Sequence, residues 1–303
     1  MSSKTIKRFK NNLLLHLMVL PGVVLMLIFA YIPMYGVTIA FQDFVPAKGL
    51  FGDQTWVGLD NFRVVFTYPK IWEVLKNTVF ISMWKIVLSV IVPVVFALLL
   101  NEVRIKVFKR GVQTIIYFPY FLSWVVFAGI IIDVLSPSTG IFNSLLISLG
   151  IEPIYFLGDS SWFPATIIAT DVFKTFGFNT VIYLAAISGV NPELYEVSAI
   201  DGANKFQQML HITLPGIKII IVLLSVLSMG SILNAGFDQV WNLLNNNVLS
   251  TGEILDTYVY RQGILARLYG QGAAIALMKS IVSMGFIGTS YYVAYKFLDY
   301  RLF

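Results

Sequence analysis

The chain has no cysteine and only two histidines among its 303 residues. The first absence excludes disulfides, a thiolate nucleophile and cysteine metal sites, and His16 and His211 alone do not make a histidine-based metal centre. Charge is scarce as well. Asp, Glu, Lys and Arg amount to 12% of the residues against 57% apolar ones, a ratio that excludes an ordinary soluble protein and places the chain among membrane proteins. No Gly-Lys dipeptide occurs, so there is no Walker A loop to cradle the phosphates of ATP. The formal charge of +5 does not point to nucleic acid, because Lys and Arg gather at the ends of apolar runs, where they orient a membrane protein.

What the chain has in abundance is apolar runs. Crossing a bilayer takes about 20 mainly apolar residues in a helix. Six segments qualify, at about 13–40, 77–100, 112–135, 163–190, 217–235 and 271–297. The expected fold is all-α, a single polytopic membrane domain over 1–303 with six transmembrane helices. Lys4, Lys7, Arg8 and Lys10 before the first run look like the basic region of a signal peptide, yet the run is too long and ends without a small-residue cleavage site. It is expected to stay as the first span. Six spans put both termini on one side, and the basic cluster marks that side as cytoplasmic. Arg104, Lys106, Lys109 and Arg110 between spans two and three agree, as does the lack of Lys and Arg in 136–162. The first outer loop spreads Lys48, Arg63, Lys70 and Lys76 over a longer segment. Within it Leu59, Phe62, Val65 and Phe66 share one helical face, which predicts a short helix over 58–66; 141–149 predicts another.

The polar interruption at 191–216 carries the most specific pattern. Asn191 is a good N-cap, Pro192 suits the first helical position, and Glu193 complements the positive end of the helix dipole. Asp201-Gly202 then breaks the helix, and a second short helix over about 203–210 leads through Pro215 into span five. Glu196, Ala199 and Ala203 fall at helical spacings. They form a carboxylate flanked by side chains small enough for another protein's backbone to approach.

With Glu196, Gly202, Ile212, Leu214 and Pro215 at the characteristic spacing, this stretch resembles the EAA loop of ABC importer permeases. Val197 and Ser198 stand where that family favours Ala-Ala, so the helix must tolerate slightly more bulk. The segments 31–36, 40–44, 99–103, 121–126, 234–239 and 256–261 are similar to the LplB-type permeases of the carbohydrate-uptake class. The resemblance implies that Glu196, Ser198, Ala199, Asp201 and Gly202 couple to an ATPase, Glu196 pairing with a basic residue there. It further implies a second homologous permease, two ATP-binding subunits that hold the ATP and Mg, and an extracellular solute-binding protein. This chain would bind no cofactor, and would sit in a bacterial cytoplasmic membrane and import oligosaccharides by alternating access. The alternatives are a membrane-embedded transferase, for which the cytoplasmic loops offer only Glu102, Glu193, Glu196, Asp201 and His211, and a secondary transporter, whose inverted repeats are not visible.

Ionisable groups inside spans are costly and usually face protein or a water-filled cavity. Asp171, Lys174, Asn179, Asn234 and Lys279 are the candidates for the substrate path. Asp171 and Lys174 are spaced for an intrahelical ion pair, whereas Lys279 has no acid at three or four residues and reads as a lone cavity-lining cation. Lys85, near the start of span two, is expected to snorkel outward, and Asn234 and Gln239 to bond either sugar hydroxyls or neighbouring helices. The excess of intramembrane Lys leaves room for a uronic-acid oligosaccharide.

The orientation is testable because there is no native cysteine background. Of Ser3→Cys, Ser160→Cys and Asn204→Cys, only the variant at 160 is expected to react with an impermeant thiol reagent applied outside intact cells; labelling at 204 would overturn the topology.

Overall fold

The structure is a computed structural model and describes residues 12–298. Ser3, Lys4, Lys7, Arg8 and Lys10 lie outside the described residues. Two compact units divide the chain. The first joins residues up to 67 with 262–277. It opens with α1 (Leu13–Met26), which runs on through a widened turn at Leu27–Tyr31 and a tightened one at Ile32–Phe41 as a single apolar helical run of 29 residues. Apart from His16, α1 is apolar on every face and has no buried residue, as expected for a helix solvated by lipid. A two-residue ribbon follows, β1 (Gln42–Asp43) antiparallel to β2 (Thr55–Trp56), with Gln42 opposite Trp56. The predicted helix near 58–66 is present as α2 (Asp60–Thr67), where Val65 is buried but Leu59 and Phe66 are exposed. Asn61 ties α2 to the end of the first run by donating to the carbonyls of Ala40 and Gln42 at 3.1 and 3.0 Å.

The second unit spans 68–261 together with the residues from 278 on. Its axis is the pairing of α3 (Pro69–Glu102) with α7 (Phe163–Ser188). Pro69 sits at the first helical position, where its missing N–H has no cost, and α3 therefore starts well before the expected 77. Ile81 belongs to one buried cluster with Phe163, Ile167, Val172 and Phe176; Val94, Ala97 and Leu98 belong to another with Tyr183 and Ile187.

The third expected span is not one straight helix. α4 (Lys106–Tyr117) and α5 (Trp124–Val134) meet at 108° across a tight turn at Phe118–Phe121. Pro119 cannot donate into a continuing helix, and Ser123 starts α5 afresh by accepting from the Val126 amide at 3.3 Å. The predicted helix at 141–149 is α6 (Ile141–Ser148). Beyond α7 come α8 (Pro192–Ile200) and α9 (Lys205–Gln208). The fifth span is also broken: 205–216 meets α10 (Lys218–Met229) at 58°, and α10 ends short of 235. The chain then forms α11 (Phe237–Leu243) and α12 (Leu255–Val259) before the long α13 (Tyr269–Leu298).

Among the described residues three helical runs are long and apolar enough to cross a membrane, or five if each bent pair counts as one span. α7 is long enough at 26 residues, about 39 Å of helix. It carries Asp171 and Lys174 and is not in that set. The mostly helical membrane architecture stands, and the segments expected as spans three and five are each a bent pair of helices.

At Gly177 the backbones of α4 and α7 meet: a Cβ there would lie 2.0 Å from the carbonyl oxygen of Ile116. Backbone cannot give way as a flexible side chain does, so Gly177→Ala is expected to destabilise the protein by about 1–3 kcal/mol. Thermal unfolding in detergent checks this against Gly129→Ala, whose Cβ would meet nothing within 4 Å.

Candidate functional site

Ser82, Lys85 and Ser89 recur at intervals of three and four on α3, a polar stripe on an otherwise apolar helix. The stripe faces Asp171 on α7, Ser228 near the end of α10, and Ser231 and Asn234 just beyond it, around a polar pocket of about 200 Å³. Lys85 does not snorkel outward. It is buried at 7% exposure, donates to the Ala235 carbonyl at 2.7 Å and to Gln239 Oε1, and lies 3.4 Å from Asp171 Oδ1. Gln239 is fully buried and bonds helices rather than facing the pocket, its Nε2 donating to the Ile167 carbonyl and Thr170 Oγ1 at 2.7 and 2.8 Å.

Asp171 is thus paired across helices, and the expected pair within α7 does not form. Lys174 turns the other way, donating to the Tyr120 carbonyl at 2.9 Å and lying 5.5 and 5.2 Å from the ring centres of Tyr120 and Trp124. Its ammonium caps a carbonyl of the break before α5 and meets two aromatic faces, which stabilise a cation without a carboxylate. Asn179 is half-buried, about 12 Å along α7 from Asp171. Of the expected path residues the pocket gathers Asp171 and Asn234, and it leaves out Lys174, Asn179 and Lys279. Lys85 and the four serines are the addition; their three-and-four spacing was the available signal.

Lys279 is not a lone cation. Its Nζ lies 2.5 Å from Asp256 Oδ1, and Asp256 is on α12, 23 residues away, beyond the reach of a helical spacing rule. A second ionic contact holds the same region. Arg261 pairs with the fully buried Glu253 at 2.6 Å, and Lys70 approaches that carboxylate at 3.8 Å. Burial pushes the Glu253 carboxyl above its ordinary range, against the pull of Arg261 and Lys70. Among the described residues no three His, Asp or Glu side chains are grouped to hold a metal ion.

The loop at 191–216 is a helical hairpin. Asn191 caps α8 by accepting from the Glu193 amide at 3.0 Å, Gly202 turns the chain with φ 82°, and Asn204 and Gln207 close a reciprocal capping box on α9. Glu196, Ala199, Asp201 and Gly202 are exposed. Ser198 points inward, donating to the Tyr195 carbonyl at 3.0 Å and accepting from Gln208 Nε2 at 2.9 Å. An open cleft of about 330 Å³ lies beside the turn, walled by Ser198, Asp201, Gly202, Gln208 and His211. On the same hairpin Val197, Ile200 and Phe206 stand 57%, 86% and 69% exposed, and Leu194 and Leu210 are exposed as well.

Because Lys279 and Asp256 are only partly buried, their pair is expected to contribute about 1–3 kcal/mol. Lys279→Met and Asp256→Asn should each lower the unfolding temperature, and the double variant should lose clearly less than the sum of the two. Additive losses in that cycle would dissolve the pair.

The family model described as "Binding-protein-dependent transport system inner membrane component" matches residues 89–303. Protein LplB of Bacillus subtilis (strain 168) is 41% identical, over 97% of this chain and 92% of its own length. The polygalacturonan/rhamnogalacturonan transport system permease protein YteP of the same organism is 42% identical, over 93% of this chain and 88% of its own length. A chain of a bacterial ABC transporter involved in the import of the acidic polysaccharide alginate superposes with a TM-score of 0.90 at 34% identity, covering 97% of this chain and 99% of that one. The alginate transporter in complex with alginate pentasaccharide-bound periplasmic protein gives 0.87 at 34% identity, over 95% and 96%. By the extent of the family match and the identity shared with these permeases along nearly its whole length, the chain belongs to the binding-protein-dependent transport system inner membrane components, the permeases of ABC importers.

Proposed function

We propose that this permease conducts acidic oligosaccharides, with uronate residues passing the polar pocket between α3, α7 and the end of α10. The observation that carries the reading is the pocket's lining: serine hydroxyls and the Asn234 amide, suited to sugar hydroxyls, beside a buried lysine. The acidic polysaccharides in the names of the YteP relative and the alginate transporter support the same substrate class. The chain works with a second homologous permease, two ATP-binding subunits and a solute-binding protein outside the cell. It crosses the cytoplasmic membrane six times, α7 and the two bent pairs included, with both termini and the hairpin of α8 and α9 inside. That hairpin docks on an ATP-binding subunit, with Glu196 as the charged anchor and the exposed Val197, Ile200 and Phe206 as apolar contact.

The experiment is reconstitution of the complete transporter in proteoliposomes, with a short oligogalacturonate and a neutral oligosaccharide of equal length as substrates. Oligogalacturonate is expected to stimulate ATP hydrolysis and to be taken up. Glu196→Ala removes one partner of an interfacial charge pair, worth about 2–5 kcal/mol, and Gly202→Val puts a β-branched residue at φ 82°. Both should lose stimulated hydrolysis and retain less ATP-binding subunit on purification. Wild-type values for both variants would remove the hairpin from this role, and stimulation by the neutral sugar alone would remove the acidic substrate.

A further inference from the structure

The contacts of Lys85 are unequal. An ammonium has three protons to place. Two go to neutral acceptors, the Ala235 carbonyl at 2.7 Å and Gln239 Oε1. Gln239 is itself held in one orientation, since its Nε2 is committed to the Ile167 carbonyl and Thr170 Oγ1 and its oxygen is left to face Lys85. The third direction is toward Asp171, and there the separation is 3.4 Å, long beside the 2.7–2.9 Å or so of a tight charge-assisted bond. The ammonium is therefore positioned by fixed dipoles and only loosely paired with its carboxylate. Asp171 is the one carboxylate within 4 Å of it among the described residues, and the Asp171 side chain keeps 22% of its surface exposed on the pocket wall. Lys174, one helical turn on, bonds Tyr120 instead and so does not hold Asp171 back.

We propose that Lys85 recognises the carboxylate of a uronate residue and that Asp171 is its resting counter-ion, displaced when the substrate enters. This rests on the acidic-oligosaccharide reading of the same pocket. With the pocket empty, Asp171 supplies the counter-charge to an ammonium that the Ala235 carbonyl and Gln239 already hold in place. When a uronate arrives, a second carboxylate competes for the same ammonium. The loosely held, part-exposed Asp171 can withdraw toward the pocket water while Lys85 stays in place on Ala235 and Gln239. A neutral sugar offers nothing that displaces Asp171, so the exchange also acts as a selectivity filter.

The test uses the complete reconstituted transporter, a short oligogalacturonate and its methyl ester, with occupancy of the solute-binding protein by each probe measured and matched. The readouts are complex yield and the concentration giving half-maximal uptake. Lys85→Gln is expected to raise that concentration for oligogalacturonate about tenfold or more and to change it little for the ester; Lys85→Arg should keep the preference for the acid. Asp171→Asn should lower the concentration for oligogalacturonate, because the competitor is gone. A structural pair predicts the opposite for Asp171→Asn, weaker uptake or a complex that does not assemble, and either result overturns the exchange. Equal effects of Lys85→Gln on acid and ester overturn it too. If Lys85→Gln does not assemble, the direction of the Asp171→Asn shift decides. Wild-type transporter that ignores oligogalacturonate would sink the acidic reading itself, whereas a wild-type response left unshifted in both variants sinks the exchange alone.

Discussion

A lysine ammonium enclosed by apolar helices is the constraint around which the second unit is arranged. Lys85 cannot be left without partners in a low-dielectric interior, and the acceptors that satisfy it come from two separate stretches: Ala235 and Gln239 around the start of α11, and Asp171 on α7. Meeting that requirement brings the segment after α10 back against α3 and α7. Gly236 marks the bend, with φ 91° and a missing Cβ that would lie 3.3 Å from Lys85 Nζ. The bend at Gly236 after α10 and the burial of the charge are thus two aspects of one arrangement.

The other break follows the same physics with different residues. An interrupted helix in an apolar medium leaves carbonyls without amide partners, and such groups must be satisfied within the protein. At the turn before α5 the Tyr120 carbonyl is satisfied by Lys174, while Gly177 lets the α4 backbone come close enough for the turn to nest against α7. α7 therefore supplies one lysine to a backbone carbonyl and one carboxylate to a neighbouring lysine. Its two charges serve two different irregularities instead of neutralising each other.

This division explains what was legible in the sequence. The first leg and the turn of the hairpin were readable because Asn191, Pro192 and Gly202 act on their own neighbours, whereas the Asn204 cap of α9 came only with the structure. The apolar runs were readable because length and composition are local properties. The ion pairs were not. The i, i+3 spacing of Asp171 and Lys174 suggested a pair that the fold replaces with partners on α3 and before α5, and Lys279 looked solitary because Asp256 lies on another element. Breaks inside apolar runs were hidden for a related reason: composition registers that a segment belongs in lipid, and Pro119 alone does not say that the axis turns by 108°.

The serine at 198 changes the mechanics of the hairpin. Its hydroxyl joins α8 to Gln208 at the end of α9, and the Tyr195 hydroxyl is 2.9 Å from Thr213 Oγ1 farther along the returning leg. Cross-braced at two levels, the two legs resist shearing past one another. A displacement imposed at the Gly202 turn would then reach the base as a rotation of the whole hairpin, like a spanner on a bolt, with the 58° bend before α10 as the place where that torque would enter it.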